Sequence, residues 1–531
     1  MMRHKNGFSR GRWSARSFFS ALPALLALLA LLAVLAVDAP AQARQNLALA
    51  RVIYNTWKAT VKPEGELKAQ IDALDKELAD AYAAGRTGEI RRLFAKGIVL
   101  LSKREWTDAL EFSTSLVLRA EEIYVDPGRP YTARLEQIYA PRVALKGSLT
   151  AKASLHKTIR VPMVGIQAGE KVKDLAVRDG VSRDLLDDPC RLDLDLSGVE
   201  DGAYVIKVDV AAKDADLGSA TLAIEVSRGL DARLSALESG LKNVQGFDAL
   251  RAEVLFPADH IRCANRGLIE MGTFKLEAAL KAAEETLAAL EAGRDPFAGR
   301  TGDMKRHYLL EEAGEIMPYR LYVPTKYDGK TAYPLIVALH GLGATEDSIF
   351  DAYGPDFLKL AEQHGTIVAA PLGYRVDGAY GRPLFAAGAD DALRRKVELS
   401  EKDVFNVLAL VKKGYKIDDS RIFLMGHSMG AIGTWYQGAK HPEIWAGLAP
   451  FSGLGDPATV ARMKDIPEFV VHGDADPTVP VSASRAMVAE MEKLGVRHVY
   501  VEVPGGNHLN VVGPNFAAMF DFFDKQKRKS P

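Results

Sequence analysis

Residues 422–431 read Ile-Phe-Leu-Met-Gly-His-Ser-Met-Gly-Ala. A short apolar run ends in Gly426-His427-Ser428-Met429-Gly430, and a helix-compatible segment follows. This pattern restricts the fold more than any other stretch. It calls for a strand that turns sharply into a helix, with the serine at the apex. Gly426 and Gly430 are expected because a Cβ at either place would clash with the neighbouring helix or strand. The turn would leave the Ser428 hydroxyl in open space above a sheet, and the helix N-terminus would favour negative charge beside it.

Two further strand-like runs follow. Residues 468–473 (Glu-Phe-Val-Val-His-Gly) lead into Asp474-Ala475-Asp476-Pro477-Thr478-Val479-Pro480, and residues 499–503 lead into Pro504-Gly505-Gly506-Asn507-His508. An acid and a histidine thus sit just past the C-terminal ends of two expected strands, the edge of an open α/β sheet where sites form. A serine hydroxyl is a poor nucleophile without a base, and the order serine, acid, histidine is the one this kind of turn requires. His508 has the right place in that order. His340 and His472, at strand ends, read as structural histidines bonded to loop carbonyls, and His427, inside the turn, reads as structural too. Asp474 and Asp476 both remain candidates for the acid, since a strand-end carboxylate also caps turns.

The N-terminus reads as a targeting segment. Arg3, Lys5, Arg10, Arg12 and Arg16 precede an apolar run over residues 21–37, and Ala41-Gln42-Ala43 offers small residues for cleavage before Arg44. An uncleaved membrane anchor is the rival reading, because the run approaches spanning length. A cleaved leader over 1–43 implies an exported chain, periplasmic or extracellular, with no stable membrane insertion afterwards. The whole chain has a formal net charge of −1. Nothing in that balance suggests nucleic acid, and the sequence has no P-loop, G-x-G-x-x-G or H-E-x-x-H motif and no internal repeat. Its two cysteines, Cys190 and Cys263, are free to pair in an exported protein or to lie buried as thiols. Neither has metal-ligand spacing.

Between the leader and the serine motif the character of the chain changes three times. Residues 44–120 read as a helical region, with Leu67, Ile71, Leu74 and Leu78 at helical spacing, and are expected to form a small packed hairpin rather than a coiled coil. Residues 121–228 read as a β-rich, sandwich-like module, with Leu222, Ile224 and Val226 alternating and a strand over 203–210. The module fits a spacer, a cover over the site or a polymer-binding unit. Residues 229–301 form a helical connector, with apolar faces at Leu230, Leu234, Leu237 and Leu241 and at Leu276, Leu280, Leu287 and Leu290, and Gly293 as a helix stop.

Residues 302–531 alternate strands and helices. Residues 335–339 (Leu-Ile-Val-Ala-Leu) and 366–371 (Thr-Ile-Val-Ala-Ala-Pro) are continuous apolar runs suited to strands buried on both faces. Helices are expected over 401–412 and 482–494. The alternation predicts an α/β fold with a doubly wound, mostly parallel sheet. Between them, residues 373–400, with Gly378, Gly381 and Gly388, suggest a lid or substrate loop in which Tyr374, Arg375 and Tyr380 either touch substrate or pack the loop. Trp435 is expected beneath the helix that follows Ser428.

The motifs together carry a resemblance. Tyr319-Arg320-Leu321-Tyr322-Val323-Pro324, His340-Gly341-Leu342-Gly343, Gly426-His427-Ser428-Met429-Gly430, the run from His472 to Pro480 and Gly506-Asn507-His508 make residues 315–525 similar to the α/β-hydrolase superfamily. Within it they resemble the secreted esterases and predicted peptidases related to prolyl oligopeptidase, polyhydroxybutyrate depolymerase and dienelactone hydrolase. One departure is Ala431, where many relatives have a second glycine. The resemblance implies that Ser428 attacks an acyl carbon, that His508 carries the proton, and that Asp476, the aspartate of His-Gly-x-x-Asp-x-x-Val-Pro, is the acid. It also implies an oxyanion hole from the backbone N–H groups of Met429 and Leu342. The expected activity is cleavage of a carboxylic ester, small or polymer-borne, through an acyl-enzyme, with no cofactor and no metal. A serine peptidase is the alternative, although no propeller repeat lies upstream. A non-catalytic binding protein on a hydrolase scaffold is a third reading, disfavoured by the intact set of Ser428, Asp476 and His508.

Overall fold

The computed structural model describes residues 47–528, apart from 144, 146, 162–164, 213–214, 270–273 and 383–390. The leader expected over 1–43 and the Gly388 end of the expected loop lie outside the described residues. The described residues form two units, the first built from those up to Glu121 together with Pro127–Val226, the second from Glu122–Asp126 together with those from Ser227 onward.

The first unit opens with α1 (Leu47–Val61), α2 (Gly65–Ala83) and α3 (Thr87–Leu101). Tyr54, Ile71, Leu74, Leu78, Leu93 and Phe94 pack into one core, so the apolar stripe of α2 is buried as its spacing requires. A Cβ on Gly97 would lie 2.4 Å from the Tyr54 ring, which is why α3 carries glycine where α1 crosses it. The short α4 (Asp108–Ser115) starts at Thr107, whose hydroxyl accepts the Leu110 N–H at 3.3 Å.

The strands follow: β1 (Leu116–Ala120), the two-residue β2 (Tyr124–Val125, counted in the second unit), β3 (Tyr131–Gln137), β4 (Leu149–Val161), β5 (Gly165–Val181), β6 (Cys190–Leu194), β7 (Gly202–Ala212) and β8 (Ala215–Val226). In the first unit they make two antiparallel sheets, one ordered β1-β3-β6 and one in which β8, β7, β4 and β5 lie side by side. Ile206, Val208 and Val210 alternate inward along β7, as a half-buried strand requires.

The second unit continues with helices α5 (Leu230–Gly240), α6 (Arg251–Asn265) and α7 (Leu276–Glu291). Gly293, at φ 73°, follows the end of α7 and donates its N–H to the Leu290 carbonyl. Then come β9 (Gly302–Leu310), β10 (Glu315–Val323), β11 (Tyr333–Leu339), α8 (Ser348–Asp351), α9 (Asp356–Gln363), β12 (Ile367–Pro371), α10 (Asp391–Gly414), β13 (Ile417–His427), α11 (Met429–Lys440), β14 (Gly447–Phe451), β15 (Glu468–Gly473), α12 (Ser482–Leu494), β16 (His498–Val503) and α13 (Phe516–Asp524). The eight strands form one sheet ordered β16-β15-β14-β13-β11-β12-β10-β9. Six run parallel, and β10 and β9 are antiparallel at one edge.

Both faces of this sheet are covered. Leu335, Val337 and Leu339 of β11 join the core built with α10, α11 and α12, while Ile336 and Ala338 join the one built with α8, α9 and α13. Two-sided burial explains why β11 and β12 read as unbroken apolar runs. Helix α10 begins ten residues earlier than expected. Residues 391–400 fall in the loop expected from sequence, yet they contain helix formers, and Val397 and Leu399 are buried. Cys190 and Cys263 are both buried free thiols.

Candidate active site

The strand-to-helix turn at Ser428 sits between β13 and α11, at an interior position of the sheet. Ser428 has φ 56° and ψ −115°, a strained conformation for a residue with a side chain. The surrounding hydrogen bonds hold it there. Its N–H donates to the Phe451 carbonyl at 2.9 Å, and its carbonyl accepts the Ile432 N–H at 3.0 Å. The flanking glycines are required by contact. A Cβ on Gly426 would lie 2.3 Å from the backbone of Gly430, and one on Gly430 would lie 2.1 Å from the Leu339 carbonyl oxygen.

Ser428, His508 and Asp476 are brought together. His508 Nε2 lies 2.9 Å from Ser428 Oγ, and His508 Nδ1 lies 2.7 Å from Asp476 Oδ2. A carboxylate only accepts, so Nδ1 carries the proton and Nε2 is left to accept from the serine hydroxyl. Asp476 is surrounded by donors. Its Oδ1 accepts the Thr478 and Val479 N–H groups at 2.8 and 3.0 Å. His472 Nε2 stands 3.2 Å from Oδ2. Burial alone would raise this carboxyl, but the His472 and His508 N–H groups outweigh it and hold Asp476 well below the usual carboxylate range. Asp474 instead accepts the Gly505 N–H at 2.6 Å at an exposed position, a turn cap.

His340, His472 and His427 are each bonded to loop groups, as their places at strand ends and in the turn suggest. His340 faces the carbonyls of Gly341 and Leu372 at 2.8 and 2.6 Å. His472 faces the Val479 carbonyl at 3.0 Å and Ser484 Oγ at 2.7 Å. His427 Nε2 donates to the His508 carbonyl at 2.8 Å, and its Nδ1 accepts from the Tyr353 hydroxyl at 2.7 Å. Burial pushes His427 down to about 3, so it stays neutral and serves as a fixed strut under the His508 loop. The His472 contact with Asp476 and the His427 strut under His508 were not anticipated from sequence. The only available signal was the i, i+4 spacing of His472 and Asp476.

The two expected oxyanion donors belong to segments next to Ser428. Met429 opens α11, so its N–H is one of the helix's unpaired donors. The loop carrying Leu342 comes against the serine, since a Cβ on Gly341 would lie 3.4 Å from Ser428 Cβ. Among the described residues neither the Met429 nor the Leu342 N–H has a hydrogen-bond acceptor.

Tyr374, Arg375 and Tyr380 pack their loop. Arg375 pairs with Glu315 at 2.7 Å and lies over the Tyr374 ring, whose hydroxyl donates to Glu315 at 3.1 Å. Tyr380 is fully buried. Trp435 is buried on α11, and its Nε1–H donates to Glu468 Oε2 at 2.8 Å. The Ala431 methyl faces Gly453 in the loop after β14. Among the described residues no cluster of His, Cys, Asp and Glu is grouped to hold a metal ion, and no helix is long and apolar enough to cross a membrane.

A mostly parallel sheet wrapped by helices on both faces, with Gly-x-Ser-x-Gly at the turn out of an interior strand, is the architecture of the α/β hydrolases. The chain resembles that superfamily in fold and in sequence motif. Residues 396–526 match the model of the phospholipase/carboxylesterase family. Among curated proteins, the chain is 28% identical over 148 residues to feruloyl esterase B of Talaromyces funiculosus, covering 27% of this chain and 38% of that one. It is 24% identical over 167 residues to a probable acetylxylan esterase A of Aspergillus clavatus, covering 32% and 51%. The aligned regions thus span between about two-fifths and half of the length of these relatives. Among solved structures, a thermostable esterase superposes with a TM-score of 0.37 at 17% identity, covering 78% of this chain and 99% of that one. A ferulic acid esterase from Anaeromyces mucronatus gives 0.35 at 17% identity, covering 44% and 93%.

Proposed function

We propose that this chain is an exported serine hydrolase that cleaves carboxylic esters. The observation that carries the reading is the hydrogen-bonded series Ser428–His508–Asp476 at the C-terminal edge of the sheet. Ser428 Oγ attacks the acyl carbon while His508 Nε2 takes its proton. Asp476 holds the His508 tautomer and stabilises the imidazolium that forms. The Met429 and Leu342 N–H groups receive the oxyanion, each supplying about 3 kcal/mol of transition-state stabilisation. Collapse of the tetrahedral intermediate expels the alcohol, which takes the proton from His508 and leaves an acyl group on Ser428. Water, deprotonated by His508, then releases the acid.

The likeness to a feruloyl esterase and an acetylxylan esterase favours an ester carried on polysaccharide. The basic residues, apolar run and Ala41-Gln42-Ala43 of the N-terminus support export. The test is hydrolysis of a short-chain p-nitrophenyl ester by the chain from residue 44 onward, beside Ser428→Ala, with organophosphonate labelling of both. Activity and labelling that vanish in the variant support the mechanism. An inactive parent whose Ser428 takes no label sinks it.

A further inference from the structure

The stretch that reads from sequence as a lid or substrate loop carries glycines at 373, 378 and 381. Contact accounts for two of them. A Cβ on Gly373 would lie 2.5 Å from the Tyr380 ring, and one on Gly378 would lie 2.1 Å from the Gly373 carbonyl oxygen. Both allow a tight turn around a single buried tyrosine. Tyr380 sits at φ 51° and ψ 39°, a left-handed conformation disfavoured for an aromatic residue. Its N–H donates to Ser400 Oγ at 2.9 Å. Its loop is anchored by Asp403, which accepts the Gly373 and Tyr374 N–H groups at 2.6 and 2.9 Å.

Tyr380 touches the two segments that carry the proposed oxyanion donors. Its hydroxyl accepts the His340 N–H at 3.0 Å and donates to the His340 carbonyl at 3.3 Å, two residues before Leu342. The Gly343 N–H donates to the Val376 carbonyl of the same loop at 2.8 Å, so the segment carrying Leu342 is held on both sides. On the other flank the Tyr380 ring lies against α11. A Cβ on Gly433 would stand 2.8 Å from Tyr380 Cβ, and Gln437 Nε2 donates to the Tyr380 carbonyl at 2.5 Å. Gly433 lies four residues, about one helical turn, after Met429.

We infer that Tyr380 is a positioning residue that sets the separation between the Met429 and Leu342 N–H groups, and with it the fit of the oxyanion site to a tetrahedral centre. The inference rests on the serine-hydrolase reading. The physical reason is that an oxyanion hole works by preorganisation, so a donor displaced by a fraction of an ångström loses transition-state binding and leaves ground-state binding almost intact.

The experiment compares the parent, Tyr380→Phe and Gly433→Ala on one p-nitrophenyl ester, with a reversible trifluoromethyl ketone as the transition-state mimic. Tyr380→Phe removes only the hydroxyl. Gly433→Ala pushes the ring from the helix side and gives the same readout should the phenylalanine variant fail to fold. We expect kcat to fall on the order of 10- to 100-fold with KM nearly unchanged, and ketone affinity to weaken by the same factor as kcat/KM. A folded variant with kcat within twofold of the parent overturns the inference, as does a loss confined to KM or a ketone affinity that does not follow kcat/KM. An inactive, unlabelled parent instead overturns the hydrolase reading itself, so the two failures are distinguishable.

Discussion

His472 and His508 share one oxygen of Asp476: the first stands 3.2 Å and the second 2.7 Å from Oδ2. The other oxygen is held by two backbone N–H groups. The carboxylate therefore cannot rotate without losing four contacts, and its charge is divided among them. Replacing His472 with leucine removes one donor while the backbone pins remain. With one contact gone, Asp476 Oδ2 is less firmly held against His508, and the imidazole it orients is less well aimed at Ser428. We expect kcat/KM to drop about tenfold, with the loss carried by kcat. His472→Gln, which keeps an N–H in that region, should recover part of the loss. Steady-state kinetics on the three proteins decides the matter, and a leucine variant with kcat within twofold of the parent would mean that His472 only fills space.

The two aspartates after β15 separate cleanly in the structure. Asp474 caps the turn at Gly505 from an exposed position, whereas the Asp476 side chain is wholly buried against His508. Asp476→Asn would leave His508 Nδ1 facing an amide and favour the wrong tautomer, with a fall in kcat on the order of 10⁴-fold. Asp474→Asn should keep activity within about threefold and cost under about 1 kcal/mol of stability, since the amide oxygen still accepts the Gly505 N–H. Steady-state kinetics on both variants tests the assignment, and comparable losses would contradict it.

Ala431 and Gly453 form a second coupled pair. A Cβ on Gly453 would lie 2.4 Å from the Ala431 methyl. The methyl that replaces the second glycine of many relatives is thus met by a glycine across the gap. Gly453→Ala alone should destabilise the protein by about 2 kcal/mol through overpacking. Ala431→Gly should cost about 1 kcal/mol in helix propensity. In the double variant the clash is gone, so its loss should be smaller than the sum by at least about 1 kcal/mol. Urea unfolding of the four proteins measures this coupling, and strict additivity would refute it.

What was legible in the sequence follows from how local each signal is. The turn at Ser428 is written in ten adjacent residues, because its glycines exclude contacts within the turn or with the adjoining strand end. The parallel strands are legible because burial on both faces leaves them no polar positions. The oxyanion support was not legible. Tyr380 meets His340 across forty residues and Gly433 across more than fifty, and nothing in a stretch of glycines and aromatics distinguishes a lid from a cradle. The start of α10 was missed for a related reason: glycines upstream drew residues 391–400 into the loop, although their own composition is helical. His472 was legible as a strand-end histidine, but its bond to Asp476 depends on how the turn between them closes.

Glu468 offers a prediction about stability rather than catalysis. It opens β15 with no solvent exposure. One oxygen accepts the Trp435 N–H, and the other has no partner among the described residues. Burial pushes its pKa up to about 8, with the Trp435 bond working weakly in the opposite direction. A carboxyl raised in the folded state keeps a proton that the unfolded chain releases near pH 4.5. Its contribution is therefore fully present below that pH, declines as pH rises, and is lost by about pH 8. Glu468→Gln is close to the same shape and has no proton to lose. The variant should therefore gain on the parent between pH 5 and pH 9 by roughly a few kcal/mol, near 1.4 kcal/mol for each unit of the shift. Its unmatched amide N–H adds a constant cost at every pH. Urea midpoints of both proteins across this range isolate the effect, because every other titrating group is common to the two. A stability difference that stays flat with pH would show that Glu468 is ionised in the folded protein and is served by a donor other than Trp435.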